Sequence, residues 1–336
     1  MLERCFVRPL LVVLAAVLAL GAGRVSAASH RTANFVIDAP TDGQARKIGA
    51  AAEQYRHDLA VEWLGKPLPR WNRPCPIKAQ VAPHLGAGGA TSFVFDAGEV
   101  FGWTMTIQGS EERILDSVLP HEITHTIFAS HFRRPLPRWA DEGACTTVEH
   151  PVERARQHRL LIEHLTTGRG IAFPEMFAMR EYPADVLPLY SQGYSLARYL
   201  IERGGRHRYV AFVGDGLATD DWTGALQRHY AVPGVAQLQH TWLDWVRQGC
   251  PAPPASLLVA APAPPAALAQ GPKARGQSPE PLPIPLPEPL PEPATPQARP
   301  VAMAGRRSIY ALQARRIPDG GLPSDRPEPA VPTLAP

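Results

Sequence analysis

The chain has 336 residues, 45% of them hydrophobic, and a formal net charge of only +3. That composition supports one sizeable core and excludes the strong basic bias of a nucleic-acid or anionic-membrane binder. Its four cysteines include no C-x-x-C pair, which argues against a thiolate zinc cluster.

Residues 1–27 read as a signal peptide. Arg4 and Arg8 precede an apolar run from Leu10 to Leu20, about half the length of a bilayer span. Val25, Ser26 and Ala27 then supply the small residues of a cleavage site. The expectation is export to the periplasm, the cell envelope or the medium, with a mature chain from Ala28. Left uncleaved, the segment would be an N-terminal membrane anchor. Export removes Cys5 and leaves Cys75, Cys145 and Cys250, from which an oxidising compartment permits one disulfide.

Residues 28–110 read as an N-terminal α/β part. Residues 34–38, "NFVID", predict a strand. Apolar residues at 45, 48, 52, 55, 59 and 63 then recur on one helical face, and Gly65 with Pro67 marks its end. "PIKAQV" (76–81) predicts a second strand. Two further β-rich runs, 92–95 and 100–107, flank the turn-forming "DAG". From Glu111 to Gly249 the pattern is mostly helical, including 187–203 and 235–247. Strands first and helices after predict an α+β fold, with a small mixed sheet followed by a helical half over 111–250.

The chemistry begins at "HEITH". On a helix, His121 and His125 lie four apart, about 40° from each other around the axis, so both imidazoles address one point. Glu122 projects beside that point. This is the pattern of a zinc hydrolase, in which two histidines bind one Zn²⁺ and the glutamate is general base to the zinc-activated water. Pro120 fits if Ser117 caps the helix, or if a longer helix from Glu112 bends there.

Two residues compete for third ligand. His131 has the metzincin spacing, but Phe128 stands where that pattern needs a glycine. A helix that simply continues puts His131 about 240° round from His125. Downstream, a proline-rich loop ends the first helix and "WADEGACTTVE" predicts a second. Its Glu142 lies seventeen residues after His125, and His₂Glu with one open position is a standard catalytic zinc set. Asp141 is the neighbouring alternative, but consecutive helical residues point about 100° apart.

"HEITH" followed by "WADEGA" resembles the gluzincin (peptidase MA-like) metallopeptidases, over roughly residues 92–205. The resemblance implies a thermolysin-like catalytic domain, with His121, His125 and Glu142 as ligands of one zinc and Glu122 as catalytic base. It implies a sheet-edge strand that holds extended peptide substrate, and "FGWTMTIQGS" (101–110) falls where that strand would be. It also implies a tyrosine that stabilises the oxyanion, for which "LYSQGYSLARYL" supplies Tyr194 and Tyr190. The aspartate that supports a zinc histidine in thermolysin is replaced by Thr146, with Glu149 nearby as a substitute. The element by which aminopeptidases hold a free amino terminus is missing. The resulting expectation is an exported, zinc-dependent metallopeptidase acting on peptide or protein. The alternatives are a gluzincin-fold binding or envelope-scaffold protein without turnover, and a metzincin-like protease using His131.

The last stretch, 251–336, holds more than half of the chain's 38 prolines. In "SPEPLPIPLPEPLPEPATP", proline occupies every second position from 279 to 293. Proline lacks a backbone donor and fixes φ near the polyproline II value. The expectation is a disordered proline-rich tail, a spacer or an arm that contacts the cell envelope.

Overall fold

A computed structural model describes residues 28–179 and 182–252. Residues 1–27, read above as a signal peptide, and residues 253–336, read as a proline-rich tail, lie outside the described residues. The fold is mixed α/β, with one five-stranded mixed sheet followed by helices.

Strands β1 (Ala28–Arg31) and β2 (Phe35–Ala39) pair antiparallel. Alternation along β2 buries Phe35, Ile37 and Ala39 on one face. Helix α1 (Asp42–Leu64) then crosses over to β3 (Cys75–Val81), which lies parallel to β2. Thr41 caps α1 by accepting from the Gln44 amide, and Gly65 ends it at φ 73°. Ala45, Ile48, Ala52, Leu59 and Trp63 form its buried face, as the periodicity predicts.

β4 (Gly88–Asp96) and β5 (Glu99–Gly109) form a hairpin whose turn, Ala97 and Gly98, has positive φ at both positions. The sheet order is β1-β2-β3-β5-β4. This corrects the strand assignment. From Met105 to Gly109 β5 is paired with β3 on one side and runs beside β4 on the other, so that stretch has no open backbone edge for a peptide, while residues 101–104 pair with β4 alone. On this side of the sheet the edge strand is β4. It starts four residues before the predicted run because Gly88 and Gly89, poor strand formers, belong to it.

Among the described residues no strand follows β5. Ser110 caps a helical lead-in, Glu111–Arg113, which passes through a π-turn, Ile114–Val118, into α2 (Leu119–Phe132). The longer helix is therefore the one formed. Ser117 is not its cap; its hydroxyl donates to Asp116 and accepts from the His150 amide. The wider π-turn immediately precedes Pro120, where the missing amide would interrupt a regular helix.

The remaining helices are α3 (Arg138–Thr146), α4 (Pro151–Thr166), α5 (Phe173–Ala178), α6 (Leu187–Thr219), α7 (Trp222–Tyr230) and α8 (Val235–Arg247). α6 outruns the predicted 187–203 because it continues past a kink at Gly205 (φ 77°, ψ 168°). Trp63 of α1 packs edge-on to Phe128 of α2 at 5.0 Å, and lies 6.0 Å from Tyr209 of α6. This aromatic contact joins the helical half to the α/β half. No described helix is long and apolar enough to cross a membrane. Cys75, Cys145 and Cys250 are buried as thiols, so none of the permitted disulfides forms.

Candidate metal centre

α2 is buried along nearly its whole length, so His121, Glu122 and His125 stand inside the protein. The two imidazole centroids are 5.0 Å apart, one turn along a shared face. α3 lies across that face. Glu142 Oε2 stands 3.4 Å from His121 Nε2 and 3.7 Å from His125 Nε2, long for hydrogen bonds. The glutamate is 1% exposed.

A pair of glycines explains how α3 reaches this position. A Cβ on Gly143 would meet the Gly193 carbonyl oxygen at 2.2 Å, and one on Gly193 would meet the Trp139 oxygen at 2.8 Å. The backbones of α3 and α6 therefore touch directly. The glycine after Glu142 lets the helix sit deep enough for its carboxylate to reach the histidines.

The outer nitrogens of the histidines are held by carboxylates. His121 Nδ1 is 2.6 Å from Glu149 Oε1, and His125 Nδ1 is 2.9 Å from Asp141 Oδ1. Both acids are buried. This arrangement fixes each ring and turns Nε2 toward Glu142. Asp141 is thus a partner of His125 rather than a rival of Glu142, as the 100° offset between them requires. Glu149 occupies the supporting position, whereas the Thr146 hydroxyl donates to the Glu142 carbonyl.

Glu122 is held from the sheet. Thr91 of β4 donates to Glu122 Oε2 at 2.7 Å, and a Cβ on Gly89 would meet Oε1 at 2.5 Å. Gly89 is the strand glycine that makes room for the carboxylate. Burial raises the Glu122 pKa against the lowering pull of His121 and His125. Glu142 is also pushed up by burial, but the two histidines outweigh this and hold it low. Burial disfavours charge on both histidines, yet the surrounding carboxylates win and raise their pKa values.

The chemistry of these donors fits a metal ion. Glu142 Oε2 and Glu122 Oε1 are buried and have no hydrogen-bond partner among the described residues. An oxygen left that way costs about 1–3 kcal/mol or more when charged, and a cation removes the cost. A buried group of His121, His125 and Cys145, with donor atoms within 4.8 Å of one another, can also hold a metal ion. Cys145 Sγ lies 3.3 Å from His125 Nδ1, on the side of the ring that Asp141 engages. Glu142 addresses the opposite nitrogen.

Tyr182, just before α6, donates to Glu142 Oε1 at 3.0 Å and sits under the Arg138 guanidinium at 4.4 Å. Nothing in its local sequence marks it. Tyr190 hydrogen-bonds Tyr182, and burial raises its pKa, with Glu142 adding to the effect. Tyr194 is also buried, but the charges around it are Arg198, Arg154, Glu149 and Glu202. Tyr190 therefore lies toward Glu142, whereas Tyr194 sits in a mixed field dominated by Arg198 and Arg154. His131 is exposed in the last turn of α2, against Phe132 and near Lys66. Phe128 is buried on Trp63, and the helix runs straight on through it. A scan against protein-family models and a search of curated proteins each found no match to the chain.

Proposed function

We propose that this chain is an exported zinc-dependent metallopeptidase of the gluzincin kind, with His121, His125 and Glu142 holding the metal and Glu122 as general base. The observation that carries this reading is the convergence of His121 Nε2, His125 Nε2 and Glu142 Oε2, with the unpartnered Glu122 Oε1 beside them. A purely structural metal site has no need of a buried carboxylate that neither binds the ion nor holds a ligand ring. A bound zinc ion supplies Lewis acidity, acidifying water and polarising a carbonyl.

The chain's own groups perform the rest. Glu122 Oε1 accepts the proton of the attacking water and returns it to the leaving amine. Thr91 holds Oε2, so that Oε1 is the oxygen left to move the proton. Glu149 and Asp141 keep the histidine rings aligned. Tyr190 or Tyr194 supplies the oxyanion donor, and the position of Tyr190 toward Glu142 favours it. Peptide substrate lies along β4, the edge strand that contacts Glu122.

The proximity of Cys145 supports a second reading, a His121, His125 and Cys145 donor set. Metal content separates the two. Purified Glu142→Ala is expected to lose its equivalent of zinc, while Cys145→Ala and His131→Ala keep it. Zinc lost only from Cys145→Ala would establish the second set. Absence of zinc-dependent cleavage across a broad peptide library, with zinc bound, would instead leave a non-catalytic binding protein.

A further inference from the structure

A second concave site lies away from the metal centre. The loop after α1, the start of β5 and the last turn of α2 enclose a pocket of about 860 Å³. No metal-site residue lines it. Trp71 and Trp103 stack at 4.9 Å with an interplanar angle of 27°, and Phe101 beside them is 49% exposed. The Arg56 guanidinium, on a side chain only 5% exposed, lies 4.3 Å over Trp71 and is held by the carbonyls of Leu68 and Pro69. Its Nε has no hydrogen-bond partner among the described residues. Lys66, Arg70, Arg73 and Arg133 add four more cations to the lining, against the single carboxylate of Glu99. Arg133 already pairs with Glu99 at 2.9 Å. The pocket is an aromatic floor with a positive rim, on a chain whose overall charge is only +3.

We propose that this pocket docks the chain's own proline–glutamate repeat, residues 279–293. Aromatic-lined grooves take polyproline segments because alternate prolines are already extended and lose little entropy on binding. A polyproline II helix has three residues per turn, so every third residue shares a ridge. In that register Pro281, Ile284, Pro287, Leu290 and Pro293 would make one uninterrupted apolar ridge. Glu280 and Glu292 would share a second ridge, and Glu288 would fall on the third. The apolar ridge matches the tryptophan floor, and the three carboxylates match the cationic rim. The later part of the tail has the wrong sign, with Arg306, Arg307, Arg315 and Arg316.

Reach does not limit the contact. The stretch from Ala252 to Pro279 extends to about 85 Å, against a radius of gyration of about 17 Å for a domain of the described size. Tethering also supplies an effective concentration on the order of millimolar, so a weak site is filled. Docking here is independent of the metal reading.

Hydrogen–deuterium exchange on the full-length chain tests this. Amides of the 64–74 and 99–103 segments should exchange about tenfold faster when Glu280, Glu288 and Glu292 are all changed to Lys. Arg70→Glu with Arg73→Glu, both on exposed side chains, should give the same acceleration. Combining the two sets reverses both charges and should restore the slow exchange, which simple damage to the pocket would not do. Identical exchange in the native and tail-reversed chains would overturn the proposal. So would protection that appears only as protein concentration rises, since the occupant would then belong to another molecule.

Discussion

Glu149 Oε1 lies 2.6 Å from His121 Nδ1, and both side chains are fully enclosed. The carboxylate does not face the proposed metal position; it acts through the imidazole. Accepting the Nδ1 proton fixes the tautomer, so that Nε2 carries the lone pair, and makes that nitrogen a better donor. Glu149→Gln keeps the shape but removes the charge. Zinc affinity measured by chelator competition is expected to fall about 10–100-fold. Asp141→Asn should weaken binding in the same way through His125. If Glu149 served only to fill space, the glutamine variant would bind zinc as tightly as the parent.

The proposed base is held differently. Thr91 of the edge strand ties one oxygen of Glu122, and Gly89 leaves space for the other. Glu122→Gln should therefore retain the metal and lose peptide hydrolysis by a factor on the order of 10²–10⁴. Thr91→Val removes only the hydrogen bond that orients the carboxylate. We expect a smaller loss, about tenfold, seen in kcat rather than in metal content. Gly89→Ala adds a methyl group where the Glu122 carboxylate now stands and should cost more activity than Thr91→Val.

The contact between Gly143 and Gly193 links packing to ligand position. A methyl group at residue 143 would overlap a backbone carbonyl, which cannot rotate away as a side chain can. Gly143→Ala should push α3 off α6 and destabilise the fold by about 1–3 kcal/mol. Because Glu142 is the preceding residue, the displacement should also lower zinc affinity. A control is Gly43→Ala, where the added Cβ meets nothing within 4 Å. Thermal unfolding monitored with and without added zinc reads both effects.

Much of this architecture is legible in periodicity and motif spacing. The 45–63 face of α1, the hairpin around Gly98 and the paired "HEITH" and "WADEG" helices all follow from local pattern. What local pattern does not carry is the information held in tertiary contacts. Gly88 and Gly89 read as loop because isolated strands disfavour glycine; their place in β4 depends on Glu122, more than thirty residues later. The edge position falls to β4 rather than β5 because strand order is set by a β3–β5 pairing that no local pattern reports. Tyr182 reaches Glu142 across forty residues. Glu149 is visible as a candidate, but only the crossing of α2 by the chain after α3 brings it to His121. Which cysteines pair is likewise a tertiary matter, and among the described residues Cys75, Cys145 and Cys250 stay free thiols.

Cys75 gives the last test, one that does not depend on catalysis. It opens β3, fully buried, and burial pushes its thiol up to about 12. Thiolate is the reactive form, so at pH 8 almost none is present, and access is blocked as well. Cys250 is likewise raised by burial. In the native chain neither residue is expected to react with Ellman's reagent at pH 8, and both should react once guanidinium unfolds the protein. Mass spectrometry after alkylation in denaturant, without reductant, should find Cys75, Cys145 and Cys250 all modified. A bridged peptide joining any two of them would contradict the buried thiols of this fold. That result would show that export drives a pairing which the packing around β3, α3 and the end of α8 does not accommodate.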